Sequence, residues 1–213
     1  MSKISVLMSV YKKENPEYLR ASLESILVQT RTADEILLIE DGPLTQELYQ
    51  VVAEYQKKCD YLHVHAMEQN VQLGRALAKG VELCQYDLIA RMDTDDIAMP
   101  DRLEKEEAYM EAHPEVDVVG GAIREFNDEG TIDRVKNMPK TQEEILEYVK
   151  VRNPLNHMTV MYRKDSILKA GNYKHFPFLE DYSLWSRMLS QGYQFRNMED
   201  IPVSYTHLTL PTT

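Results

Sequence analysis

Asp93, Asp95 and Asp96, grouped around Thr94, put three carboxylates into four positions at the end of an apolar run. Two carboxylates held close repel each other, and a proton or a cation must relieve the repulsion. Mg²⁺ or Mn²⁺ fits this role, because it takes a few oxygen ligands and fills its other positions with water and phosphate oxygens. If extended geometry continues past the strand, the period of two puts Asp93 and Asp95 on one side. The competing reading is helix capping by Asp95 or Asp96 ahead of the helix that Pro100 opens; a cap needs one aspartate, not three. Arg91 and Arg102 flank the cluster and could orient a carboxylate, approach a diphosphate or form local salt bridges. A second acidic pair, Glu180-Asp181, begins an amphipathic stretch with Leu184, Trp185, Met188 and Leu189 on its inner face. Such a pair either complements a helix dipole or supplies a general base, and sequence chemistry alone leaves both open.

Other signals are weaker or absent. The segment after the first apolar run, SVYKKENP, contains no GxGxxG, and no GxxxxGK[ST] occurs anywhere. A nucleotide would therefore be held by strand-end side chains and a metal rather than by a glycine-rich phosphate loop. His63 and His65 lie two apart with no third ligand nearby, which reads as an exposed strand face. Cys59 and Cys84 make no zinc or CxxC spacing and read as two reduced, buried thiols of a cytoplasmic protein.

The elements that must position these residues follow from apolar periodicity. Strands are expected at residues 4–10, 35–39, 62–66 and 88–92. They alternate with helices opened by Pro16, over Thr45 to Lys58 and over Leu73 to Leu83. Strands alternating with helices mean βαβ units, right-handed crossovers and a parallel sheet. Ligands of such sheets bind outside the carboxyl ends of the strands. Those ends carry Ser9-Val10-Tyr11, Glu40-Asp41-Gly42 and the aspartate cluster. The second half is less regular. It is expected to hold a helix over Asp101 to Ala112, an apolar run from Val116 ending in Gly120-Gly121, and a hairpin from Ile123 to Val135 around Asn127-Asp128-Glu129-Gly130. A helix over Gln142 to Lys150, a strand over Met158 to Tyr162 and a helix from Asp181 to Ser190 closed by Gly192 follow.

Bulk properties narrow the classes. The 213 residues suit one domain, and 43% hydrophobic with 28% charged residues is a globular composition. A net charge of −11 opposes nucleic acid as a partner. No stretch approaches the ~20 apolar residues of a membrane span, and the N-terminal run is too short for a signal peptide. The chain is expected to be cytoplasmic, with a peripheral seat on the inner membrane face as a further option.

The segments ISVLMSVYKKENPEYLRASLESILVQT, EILLIEDGPLT, NVQLGRALAKG, LIARMDTDDIAMPDRLEKE and FLEDYSLWSRML together resemble the family 2 glycosyltransferases of bacterial exopolysaccharide, O-antigen and amylovoran synthesis. The resemblance implies a GT-A fold: a single Rossmann-like α/β domain, residues 1–203, with a mostly parallel central sheet flanked by helices. It implies a glycosyltransferase of the hexosyltransferase type that moves a sugar from a nucleotide-diphosphate donor, a UDP-sugar, to a saccharide or lipid-linked acceptor with inversion, using Mg²⁺ or Mn²⁺. Carried over residue by residue, Ser9, Val10 and Tyr11 line the nucleoside pocket, and Asp41 reads the nucleobase. Arg75 approaches base and diphosphate, Asp93 lies near the ribose, Asp95 holds the metal and Asp181 is the general base. Glu180, His157 (in a segment similar to the NHxTVM of this subgroup), Arg91 and Asp96 are further candidates for the cleft. Trp185 is expected in the core. The family pattern NxGLGxALN has Gly where this chain has Gln72 and Asn where it has Ala78, so the loop after the third strand is expected to hold its ligand differently.

Two rivals stay open here. A nucleotidyltransferase also uses a Rossmann-like sheet and acidic metal ligands, although it carries a Gly-rich basic loop after its first strand. A truncated domain could bind nucleotide sugar without transferring it. Truncation is raised by SYTHLTLPTT, residues 204–213, which has no acidic or basic residue except His207 and is expected to be a non-native tail.

Overall fold

In β1 (Ile4–Val10) the side chains of Ile4, Val6, Met8 and Val10 enter one apolar layer while Leu7 enters another. Both faces of the strand are covered: one is wholly apolar, and the other sets Leu7 between the small polar Ser5 and Ser9. The computed structural model describes residues 2–126 and 133–205. β1 is its pivot, pairing in parallel with β2 (Glu35–Glu40) on one side and β4 (Leu88–Met92) on the other. β2 pairs in parallel with β3 (Leu62–Ala66).

The crossovers are helical. Asn15 caps α1 (Pro16–Leu27) by accepting from Glu17 N, and Thr45 caps α2 (Gln46–Lys58) by accepting from Leu48 N. α1 and α2 share one layer with α4 (Arg102–Ala112). α3 (Leu73–Leu83) covers the opposite face, and Gly80 lets it lie directly on β1, because a Cβ there would stand 2.3 Å from Leu7 Cδ1.

Beyond β4 the sheet becomes mixed. β5 (Asp96–Ala98), β6 (Val118–Phe126), β7 (Asp133–Lys136), β8 (Met161–Arg163) and β9 (Phe195–Tyr205) extend it in the order β3-β2-β1-β4-β8-β6-β9-β5, with β7 on β6. β8 is antiparallel to β4 and β6, while β9 is parallel to β6 and antiparallel to β5. α5 (Gln142–Tyr148), α6 (Lys164–Lys169) and α7 (Glu180–Ser190) are the remaining α-helices among the described residues. They pack Ile145, Ile167, Leu184, Trp185, Met188 and Leu189 into the layer of α3.

Several expectations are corrected. The apolar run from Val116 and the first hairpin arm are one strand, β6, carried through Gly120-Gly121 with an irregularity between Gly121 and Ile123. Its pairing with β7 is the expected hairpin; the turn around Asn127 to Gly130 lies outside the described residues. The expected strand over Met158 to Tyr162 splits into a 3₁₀ turn (His157–Thr159) and β8. The Thr159 hydroxyl takes the Asn156 carbonyl, a local bond that competes with the ladder. β5, α6 and β9 have no counterpart in the sequence reading. Ser204 and Tyr205, from the segment set apart as a tail, pair with Ile97 and Asp96. Asp95 and Asp96 cap no helix, since Asp101 is the N-cap residue of α4.

Arg102 also leaves the candidate site. It is fully buried in α4, where Nε bonds Glu106 at 3.0 Å, Nη2 bonds the Arg91 carbonyl at 2.7 Å and Nη1 meets the Met92 sulfur at 3.1 Å. Burial pushes the Glu106 carboxyl up to about 7 even against the neighbouring guanidinium. Removing one partner of a buried pair strands the other. Arg102→Leu is therefore expected to cost about 3–5 kcal/mol in urea unfolding; a loss below about 1 kcal/mol would exclude this structural role.

Candidate active site

The carboxyl ends of β1, β2 and β4 open onto one cavity of about 430 Å³. Its wall carries Ser9, Tyr11 and Glu14 from the end of β1, Asp41 from β2, Asn70 and Gln72 to Gly74 from the approach to α3, and Asp93 to Asp95 after β4. His175 to Phe178 and Glu180 close it from the approach to α7. Parallel strands must end on the same edge, so four loops distant in sequence meet there.

The aspartate cluster is gathered by a turn rather than by a continued strand. β4 stops at Met92, residues 94 and 95 form the turn, and β5 resumes at Asp96. Carboxylate oxygens of Asp93, Asp95 and Asp96 nonetheless lie within 4.8 Å of one another. The turn is pinned by Ser22 Oγ, which donates to the Asp93 carbonyl at 2.8 Å. Thr94 Oγ1 donates to Glu14 Oε2 at 2.6 Å. Burial, then Asp93 and Glu14, push the Asp95 carboxyl up to about 6. A donor set of hard oxygens with an unfavourable mutual charge suits a divalent cation.

Arg91 lies behind this cluster. It is 1% exposed and its Nη1 pairs with Asp93. Burial opposes its charge, and Asp93 more than offsets this, so the guanidinium stays ionised. Its charge also favours ionisation of Asp95, Glu180 and Asp181.

At the far side, Glu180 lines the cavity and Asp181 sits one step behind it, 9% exposed. Asp181 Oδ1 accepts from Tyr182 N at 2.6 Å, and Oδ2 accepts from Asn153 Nδ2 at 2.6 Å. Burial raises its pKa while these donors oppose the rise. His157 Nδ1 stands 3.9 Å from Asp181 Oδ2, and its Nε2 meets Tyr173 Oη at 3.0 Å. Burial, with Arg91 adding to it, holds the imidazole well below its ordinary pKa, so it is neutral. His157, Glu180 and Asp181 form a second close cluster. A second cation there would meet the Arg91 guanidinium, which makes it a poor metal site.

The structure sorts the expected residues. Ser9, Tyr11, Asp41, Asp93, Asp95 and Glu180 line the cavity; Arg91, Asp96, His157 and Asp181 lie behind its wall. Val10 is a core residue with no side chain in the cavity, because strand alternation turns it into the layer of α1 and α2. Arg75 is exposed on α3 and outside the lining, as it follows Gly74 around the helix. Trp185 is fully buried, and Cys59 and Cys84 are free and buried. Sequence reasoning missed Glu14, Asn70, Asn153, Tyr173 and the His175–Phe178 loop. Glu14 and Asn70 belong to strand-end loops that the topology rule already marks. Asn70 Nδ2 donates to Asp41 Oδ2 at 2.9 Å and Val71 N to Asp41 Oδ1 at 2.6 Å, which fixes that carboxylate.

At Gln72, where NxGLGxALN has Gly, the backbone keeps a conformation that glycine favours. Gln72 precedes α3 with φ 72° and ψ 155°, a region essentially restricted to glycine. Gln72→Gly is accordingly expected to stabilise the protein by about 1–2 kcal/mol, seen as a raised urea midpoint; an unchanged or lowered midpoint would contradict the strain. Asp95 supplies a second test. Its folded pKa of about 6 lies above the ordinary aspartate value of 3.8, so its ionisation costs stability as pH rises through that window. Metal-free Asp95→Asn is expected to be more stable than the parent at pH 8, on the order of 2 kcal/mol, with the gain vanishing below pH 4.

Residues 5–175 match the family model described as Glycosyl transferase family 2. The chain is 44% identical over 197 residues to the amylovoran biosynthesis glycosyltransferase AmsE of Erwinia amylovora, covering 92% of this chain and 73% of that protein. It is 34% identical over 207 residues to the UDP-Gal:alpha-D-GlcNAc-diphosphoundecaprenol beta-1,3-galactosyltransferase of Escherichia coli, covering 94% and 73%. Among solved structures, S. aureus TarS 1–349 in complex with UDP-GlcNAc superposes with a TM-score of 0.75 at 19% identity, over 96% of this chain and 58% of that one. The mannosyltransferase PcManGT of Pyrobaculum calidifontis, in complex with GDP-Man and Mn2+, gives 0.74 at 12% identity, over 99% and 58%. The chain thus spans less than two thirds of those solved proteins. With the family model spanning most of its length and relatives this similar, the chain belongs to glycosyl transferase family 2, a family of transferase enzymes.

Proposed function

We propose that the chain transfers a sugar from a UDP-sugar to a hydroxyl of a saccharide or lipid-linked saccharide, inverting the anomeric configuration. The observation that carries this reading is the one cavity that joins Asp41, the Asp93–Asp95 turn and Glu180, with Asp181 directly behind its wall. Relatives support the substrate class, since one is named for UDP-Gal and a diphosphoundecaprenol-linked acceptor.

Ser9 and Tyr11 border the nucleoside, and Asp41, fixed by Asn70 and Val71, accepts from the base N–H. Asp93, steadied by Arg91, faces the ribose, and Asp95 is the metal ligand, with Asp96 beside it. A Mg²⁺ or Mn²⁺ ion held there would supply Lewis-acid stabilisation of the departing diphosphate. Asp181 takes the proton of the acceptor hydroxyl as its oxygen bonds to the anomeric carbon and the bond from that carbon to the diphosphate oxygen breaks. Glu180, on the wall beside it, contacts the acceptor. The nucleotidyltransferase reading loses ground, because Lys12 and Lys13 are exposed and outside the cavity lining. No helix among the described residues is long and apolar enough to cross a membrane. A lipid-linked acceptor would be met on the cytoplasmic face of the inner membrane by peripheral contact.

Calorimetric titration with UDP and then GDP, with and without Mn²⁺, tests the donor side. UDP binding that requires Mn²⁺ and weakens at least tenfold in Asp95→Ala is expected; absence of nucleotide binding under every condition would sink the reading. On the acceptor side, Asp181→Asn is expected to retain UDP binding while UDP release from its sugar nucleotide falls about 10²–10⁴-fold.

A further inference from the structure

The stretch from Asn153 to Thr159 contributes nothing to the cavity wall, yet it is fastened to two strands. Asn156 Nδ2 donates to the Gly121 carbonyl at 3.0 Å, and Gly121 N donates to Thr159 Oγ1 at 3.0 Å. Asn197 of β9 donates from Nδ2 to the Pro154 carbonyl at 3.0 Å and to the Pro139 carbonyl at 2.7 Å. The approach needs Gly120, where a Cβ would stand 2.8 Å from Asn197 Oδ1 and 3.2 Å from a Leu155 methyl. The segment is thus held by directional bonds as well as by its burial.

Two of its side chains reach Asp181. Leu155 N donates to Asn153 Oδ1 at 3.3 Å, which leaves the Nδ2 end of the amide facing the carboxylate, 2.6 Å from Oδ2. That orientation suits an ionised Asp181, because the amide offers only a donor on that side. His157 packs beside it. Its Nε2 shares a hydrogen bond with Tyr173 Oη, which turns the Nδ1 edge of the ring toward Asp181. Trp185 and Tyr173 hold the imidazole by ring contacts with centroids at 6.2 and 5.6 Å.

We propose that Asn153 and His157 are positioning residues for Asp181, a cradle that fixes its rotation and keeps its proton-accepting form poised at the acceptor side of the cavity. The inference rests on the reading of Asp181 as the base. Asn153 supplies the directional bond, and the His157 ring, packed beside the carboxylate, blocks rotation away from it. The groups facing Asp181 are Asn153, His157, Glu180, Tyr173, Arg91 and the Tyr182 amide.

The test is a carboxyl ¹³C titration of Asp181 in the whole 213-residue chain, as parent, Asn153→Ala and Asn153→Asp. Loss of the donor is expected to raise the pKa of Asp181 by about one unit in Asn153→Ala, and further in the isosteric Asn153→Asp, which faces it with a second carboxylate. UDP release from UDP-galactose, or whichever UDP-sugar binds, should fall in the same order, at least tenfold in the alanine variant. UDP affinity should hold in both. A role confined to packing would rank Asn153→Asp above Asn153→Ala in both readouts, and that ranking, or an unmoved titration, overturns the proposal. If Asn153→Ala fails to fold, the isosteric variant against the parent still decides. For His157, Gln should restore turnover that Phe loses; equal loss in both would remove it from the cradle. Asp181→Asn with turnover intact would refute the base assignment and leave the titration order standing, so the two failures are distinct.

Discussion

The buried guanidinium of Arg91 is the charge on which the site depends. Asp93, Asp95, Asp96, Glu180 and Asp181 converge on the edge of the sheet, and such a concentration of partly desolvated carboxylates repels itself. Arg91 pairs directly with Asp93, and its field reaches the acidic groups of both clusters. A lysine in its place would present a more compact, more strongly hydrated charge, costlier to bury, without the planar fork. Because Arg91 lies on β4, between β1 and β8, the counter-charge is delivered by the sheet itself and not by a loop.

The two halves of the fold divide the labour. The parallel block β3-β2-β1-β4 presents Ser9, Asp41 and Asp93 at the ends of its strands, and the helical layers on both faces hold those ends in register. The mixed half, β8-β6-β9, presents no strand end to the cavity. It anchors the Asn153–Thr159 segment and α7, and these place Asp181. Both apolar layers run under both halves, one on each face of the sheet, and the halves meet at the antiparallel β4–β8 contact, directly beside Arg91.

The sequence made the parallel half legible because its strands are short apolar runs and its helices carry caps. Asn15, Pro16 and Thr45 mark helix starts, and α3 falls on its expected bounds. The mixed half was harder to read. β9 runs Phe-Arg-Asn-Met-Glu-Asp, a polar stretch whose strand state comes from pairing with β6 and not from its own pattern. Of the candidate site, the aspartates were visible as a cluster, but the turn that gathers them was not, since β5 exists through its distant partner β9. Val10 and Arg75 were assigned to the site by motif position, and side-chain direction sends both elsewhere. Asn153 gave no signal, because one asparagine near a proline reads as a loop until its amide is seen against a carboxylate.

The pairing of Asp96, Ile97 and Ala98 with Tyr205, Ser204 and Val203 has a consequence for synthesis. A chain emerging from the ribosome can assemble β1 to β4 with their helices as soon as those residues are out, because every pairing among them lies between Ile4 and Met92. β5, the strand that fixes the last aspartate of the cluster, must wait for about a hundred further residues to be made. The Asp93–Asp96 turn is therefore among the last features to acquire its final shape, and a nascent chain holds much of its apolar core before it holds the finished acidic cluster. Long-range closure of this kind is slow, and the edge left unpaired meanwhile is where a chaperone or a second nascent chain would engage.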